Sequence, residues 1–126
     1  MNLTNLQQMF TTDAWPQFLS FDISSHSSVL LLKMNPEIQW FTGHFPGQPV
    51  LAGVVQTHWA AELSKALFPL GEEFQRIDNL KFQTVILPDQ TVSLHLHYLP
   101  DSHAVKFSYQ QGATLCSEGK LVFASA

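Results

Sequence analysis

At 126 residues the chain is long enough to bury roughly two-thirds of its unfolded surface, and a single domain over residues 1–126 is expected. A net charge of -4, with six Lys and Arg residues scattered singly, gives no basic stripe for nucleic acid, and no apolar run approaches the ~20 residues that span a bilayer. Only 13% of the residues are charged, against about 25% in an average chain, so a partner subunit is expected to cover part of the surface.

The first segment, MNLTNLQQMFTTDAWPQF, lacks the positive start and unbroken apolar stretch of a secretory leader, so a soluble cytoplasmic protein is expected. Two strands follow, WPQFLSFDIS over 15–24 and SSVLLLKMN over 27–35, both rich in apolar or β-forming residues, with the turn-prone SSHSS between them. His26 falls in that turn and is expected to face solvent. After the loop GHFPGQPV, no further Gly or Pro occurs between Gly53 and Phe68. Val55, Trp59, Leu63, Ala66 and Leu67 recur there at helical spacing, which predicts one long helix ended by Pro69 and Gly71. The remainder reads as four strands, FQRIDNLKFQTV, TVSLHLHYL, AVKFSYQQ and TLCSEGKLVFA, separated by turns at LPDQ, LPDSH and QQGA.

Strands, one helix, then strands joined by short turns predict an α+β fold with an antiparallel sheet, because short turns do not allow parallel crossovers. In TVSLHLHYL the alternation puts Val92, Leu94, Leu96 and Tyr98 on a dry face, and Ser93, His95 and His97 on a wet one. The two histidines lack a third ligand at a telling distance and read as solvated or interface groups rather than a metal site. Cys116, the only cysteine, reads as a small strand residue.

The chemistry concentrates in GHFPGQPVLAGVVQTHWAAE, residues 43–62. His44 is a candidate general base, since an imidazole titrates near neutrality, and the Phe45-Pro46-Gly47 turn after it can fix the backbone at a pocket mouth. Nine residues on, Gly53 opens the helix, where amide N–H groups without intrahelical partners can polarise a carbonyl oxygen. The string HFPGxPVxxG followed by a buried helix resembles the signature of the FabA/FabZ-like 3-hydroxyacyl-(acyl carrier protein) dehydratase family, whose fold is the hotdog. The resemblance continues through NLKFQTVILPDQTVSLHLHYL and GATLCSEGKLVFA, and the GVVQTHWA variant, together with the chain length, resembles the dehydratase-like proteins of aryl-polyene biosynthetic clusters.

The resemblance implies a hotdog fold, a long central helix wrapped by a curved antiparallel sheet of about five to six strands. It also implies a homodimer or higher homo-oligomer, or a hetero-oligomer with a related subunit, with the acyl tunnel between subunits. The activity implied is a hydro-lyase reaction, dehydration of a 3-hydroxyacyl thioester to the trans-2-enoyl thioester in fatty-acid- or polyene-type biosynthesis, with no metal or redox cofactor. His44 would act on the α-proton and the Gly53 amide on the thioester carbonyl, with Phe45, Pro46, Gly47 and Val54 against the substrate. The partner implied is an acyl carrier protein or coenzyme A bearing the thioester. Lys65, Arg76 and Lys81 are candidate docking charges for an acidic carrier.

Fourteen residues after His44, where the family carries Glu or Asp, this chain has His58. An imidazolium can protonate a departing hydroxyl, so His58 reads as the substitute acid. Glu62, about 6 Å further along the same helix face at 1.5 Å per residue, is expected to hydrogen-bond and orient it. The competing arrangement is a solvated stripe of His58, Glu62 and Lys65 in which Glu62 pairs with Lys65. Two other functions fit the same residues: a hotdog acyl thioesterase, and a non-catalytic acyl-binding subunit that has lost the helix carboxylate.

Overall fold

A computed structural model describes residues 1–42 and 47–125. After a first short helix, α1 (Leu3–Met9), the chain forms strands β1 (Gln17–Ser24) and β2 (Ser27–Lys33), a 3-10 turn at Gln39–Phe41, and the long helix α2 (Gly53–Leu67). Four strands complete it: β3 (Phe74–Phe82), β4 (Thr91–Leu99), β5 (Ala104–Gln111) and β6 (Thr114–Phe123). All six strands join one sheet in the order β1-β2-β4-β5-β6-β3, and every pairing is antiparallel. The six strands and α2 fall where the periodicity predicts them.

The alternation in β4 holds: Val92, Leu94, Leu96 and Tyr98 are buried, while Ser93 and His95 are half-buried and His97 is exposed. The dry face takes one side of α2, where Trp59 and Leu63 are fully buried beside Leu30, Leu94, Tyr109 and Leu121. Each large apolar side chain removed from water in this way contributes about 1.5–3 kcal/mol. Bulges at Phe18/Ser20, Asp78/Lys81 and Tyr109/Gln110 shift the register. Such bulges add local twist, and β1 and β3 remain as the two edges of the sheet.

The helix α1 is absent from the sequence prediction. It is only seven residues long and is started by a reciprocal cap. The Asn5 N–H donates to Asn2 Oδ1 at 2.8 Å and the Asn2 N–H donates to Asn5 Oδ1 at 2.9 Å. An asparagine does here what Glu or Gln usually does three residues after a cap. Leu6 is fully buried under α1, and Gln7 Nε2 donates to the Phe18 carbonyl at 2.9 Å, tying the helix to β1.

On the wet face each histidine of β4 has a serine partner. His97 Nδ1 lies 2.7 Å from Ser27 Oγ and His95 Nε2 lies 3.0 Å from Ser93 Oγ. No group of three His, Cys, Asp or Glu side chains suited to a metal ion occurs among the described residues. His26 is exposed, with one ring face stacked on Tyr98 at 5.6 Å. Cys116 is fully buried in β6, and that burial pushes its thiol pKa up, away from the reactive thiolate. No helix among the described residues is long and apolar enough to cross a membrane.

Candidate active site

The first turn of α2 is held from inside the protein. Gln56 is 3% exposed, a polar residue on the buried side of α2, where Ser64 is the other buried polar residue among those described. Its Nε2 donates to the Leu51 carbonyl at 3.1 Å, and its Oε1 accepts from Ser117 Oγ at 2.7 Å. The Tyr109 hydroxyl donates to the Gln56 carbonyl at 2.7 Å, and burial pushes that phenol's pKa far up, so it stays a donor. Two strands of the sheet, β5 and β6, thus fix the position of the helix start. The sequence reading missed Gln56; the signal was a glutamine where the helical period calls for an apolar residue.

Ala52 caps α2 without a side-chain bond, and its carbonyl accepts the Val55 and Gln56 N–H groups at 3.1 and 3.2 Å. The Gly53 and Val54 N–H groups have no partner among the described residues, at the positive end of a fifteen-residue helix. Gly53 opens on a cavity of about 350 Å³ walled by Val50, Leu51, Phe82 and Val85. A Cβ on Gly53 would stand 2.5 Å from the half-exposed Phe82 ring, so any side chain there would have to push that ring out of the cavity wall.

His58 lies on another side of the helix. Five residues of α-helix turn through about 140° beyond a full turn, and His58 accordingly lines a second cavity, of about 240 Å³, with Val54, Glu62, Lys65, Phe74 and Ile77. Glu62 Oε1 is 3.2 Å from Lys65 Nζ, and no hydrogen bond joins Glu62 to His58 among the described residues. Of the two arrangements open in the sequence, the Glu62–Lys65 pair is the one present, although His58 and Glu62 do share a cavity. Trp15 packs a ring face against His58 at 5.8 Å, a neighbour the sequence reading did not find. Trp59, next in sequence, is core.

His44, Phe45 and Pro46 lie outside the described residues; Gly47 is described, exposed and at φ 84°. Of the candidate docking charges, Lys65 is paired with Glu62, and Arg76 Nε is 3.0 Å from Asp78 Oδ1. Lys81 makes no ion pair among the described residues and lines a cavity of about 240 Å³ on the wet face with Lys106, Lys120 and Glu118. Lys106 and Lys120 stand directly opposite each other on β5 and β6, a like-charge pairing that costs stability.

A comparison with protein families matches residues 21–120 to the ApeI-like family, described as ApeI dehydratase. The chain belongs to the ApeI-like dehydratase family. Among relatives, the 3-hydroxyacyl-(acyl-carrier-protein) dehydratase FabZ of Pseudoalteromonas translucida is 32% identical over 91 residues, 65% of this chain and 59% of that protein. The FabZ of Moorella thermoacetica is 30% identical over 95 residues, 68% of this chain and 66% of that protein. The ApeI-like chain thus matches less than two-thirds of the length of each of these relatives.

Among solved structures, the dehydratase heterocomplex ApeI:P from Xenorhabdus doucetiae superposes with a TM-score of 0.82 at 30% identity, covering 86% of this chain and 97% of that one. A protein from Erwinia carotovora subsp. atroseptica gives 0.75 at 34% identity, covering 87% and 96%. Zebra fish thioesterase superfamily member 2, at 0.69 and 11% identity, covers 98% of this chain and 97% of its own, and shares the fold alone. The ApeI-like chain has the α+β hotdog fold, with α2 as its central helix.

Proposed function

We propose that this ApeI-like chain dehydrates a 3-hydroxyacyl thioester to the trans-2-enoyl thioester, as a hydro-lyase of fatty-acid- or polyene-type biosynthesis. The observation that carries the reading is the start of α2, where Gly53, its amide N–H without a partner among the described residues, lines a largely apolar cavity. In the reaction, His44 takes the C2 proton, and the Gly53 amide stabilises charge developing on the thioester oxygen. The C3–O bond breaks as a C2=C3 bond forms, and the hydroxyl leaves as water with a proton from His58. Glu62, paired with Lys65 beside His58, lines the same cavity and is the alternative proton donor that the Glu62→Gln variant tests. Proton exchange with solvent then restores both histidines.

Gly53 and His58 face different cavities of one protomer, so the reading includes a second subunit whose helix supplies the acid. The edge strand β3 favours this. Phe74, Leu80 and Phe82 are exposed there, as are Val85 just after it and Val54, 75% exposed, on the adjoining helix turn. An apolar patch of that kind on an unpaired strand edge marks an interface. A homodimer and a pairing with a related subunit both fit this patch.

The deciding assay incubates the purified chain, alone and with any related subunit, with 3-hydroxyacyl and 2-enoyl thioesters on carrier protein and on coenzyme A, read by mass spectrometry. Interconversion of the two thioesters, lost in His44→Ala, is expected. Free acid as the only product would establish a thioesterase instead, and no turnover in any combination would establish a non-catalytic acyl-binding subunit.

For an acidic carrier, Lys81, Lys106 and Lys120 are the docking charges the reading favours, in place of the paired Lys65 and Arg76. Reversing two of them, Lys81→Glu with Lys120→Glu, is expected to raise KM for the carrier-bound substrate by about tenfold, an effect that fades at high salt. The same pair should leave KM for a short pantetheine thioester unchanged. Equal losses on both substrates would remove these lysines from docking.

A further inference from the structure

The imidazole of His58 is held by a wall that comes from far away in the chain. The Trp15 ring centroid lies 5.8 Å from that of His58, with 33° between the ring planes. Trp15 is itself fixed on two other sides, by Phe10 at 4.4 Å and by Trp59 at 6.3 Å. The backbone beside it is tied down as well. The carbonyl of Ala14 accepts two indole N–H groups, from Trp40 at 2.9 Å and from Trp59 at 2.8 Å. The Asp13 carbonyl accepts the Gln39 N–H at 2.9 Å, and the Trp15 N–H closes a turn onto the Thr12 carbonyl at 3.2 Å. Three separate parts of the chain therefore immobilise one indole.

His58 has no comparable restraint on its own helix, because Glu62 pairs with Lys65 and no hydrogen bond to the imidazole occurs among the described residues. Without Trp15, the side chain of an exposed helical histidine would sample its staggered rotamers. The tilted indole on one side narrows that freedom and leaves the ring nitrogens open for hydrogen bonding.

We propose that Trp15 is a positioning residue for His58, restricting the imidazole to the rotamer from which its edge meets the departing hydroxyl. The proposal rests on the assignment of His58 as the acid. Its structural half stands on geometry alone, and the test separates the two.

Two variants keep apolar bulk against Phe10 and Trp59: Trp15→Phe retains a ring face and Trp15→Leu does not. In proton–carbon NMR spectra of the full chain, the His58 ring protons are expected to carry an indole ring-current shift that Trp15→Leu abolishes while the remaining spectrum persists. In turnover, Trp15→Leu is expected to lower kcat by about tenfold with KM within about twofold, and Trp15→Phe to recover most of it. Neither variant should add to the loss already caused by His58→Ala. His58 shifts that do not change in Trp15→Leu would overturn the proposal, as would a loss of equal size in the His58→Ala background. Full activity of His58→Ala with displaced ring shifts in Trp15→Leu would instead overturn the acid assignment while leaving the packing role in place.

Discussion

His58→Ala is expected to lower kcat for 3-hydroxyacyl dehydration by about a hundredfold or more, the usual worth of a positioned acid–base group, with KM within about threefold. The variant should fold normally, because His58 is exposed and its loss leaves no buried polar group unpaired. His58→Glu, which places a carboxylate at the position fourteen after His44, is expected to retain more activity than His58→Ala. The informative contrast is Glu62→Gln, which keeps the size of the side chain and removes its charge. If His58→Ala is unaffected while Glu62→Gln is dead, the acid lies one turn along the helix. If both variants turn over normally, neither residue of the shared cavity handles the hydroxyl.

The largest stability loss is expected from Gln56→Ala, about 3 kcal/mol in denaturant unfolding at fixed protein concentration. The substitution leaves the Ser117 hydroxyl and the Leu51 carbonyl without their partner inside the protein, and opens a void where the amide was. Ser117→Ala, which strands only the Gln56 Oε1, is expected to cost less, about 1–2 kcal/mol. Activity should fall with Gln56→Ala beyond what unfolding accounts for, because Gln56 and the Tyr109 hydroxyl together set where the Gly53 amide points. A Gln56→Ala protein as stable as the native chain would show that the helix start is positioned by packing alone.

The six strands and α2 were legible because each follows from a local rule: alternation for the strands, and a three-to-four spacing closed by Pro69 for the helix. The α1 helix was not, since seven residues carry too little periodicity and its asparagine cap departs from the usual pattern. Of the candidate site residues, Gly53 and His58 could be placed on α2 from the sequence, but their separation into two cavities could not. That separation depends on which side of α2 each strand covers, a property of the sheet as a whole. Glu62 had two oppositely placed suitors on the helix, His58 at four residues and Lys65 at three, and spacing alone could not choose between them. Trp15 reaches His58 from 43 positions earlier in the chain, and no spacing rule covers such a distance.

The two edges of the sheet are unlike, and this bears on how the chain behaves during its own synthesis. At β1 the exposed edge carries Ser20, Asp22 and Ser24 among its apolar residues, so its backbone is hedged by polar side chains. At β3 the rings of Phe74 and Phe82 and the side chain of Leu80 stand exposed, with Arg76 and Lys81 between them, beside an open row of backbone donors and acceptors. A freshly folded copy offers a template for indiscriminate strand pairing until that row is taken. Under the proposed pairing, dosage follows: chain made in excess of the subunit that covers β3 is expected to be lost to aggregation and proteolysis.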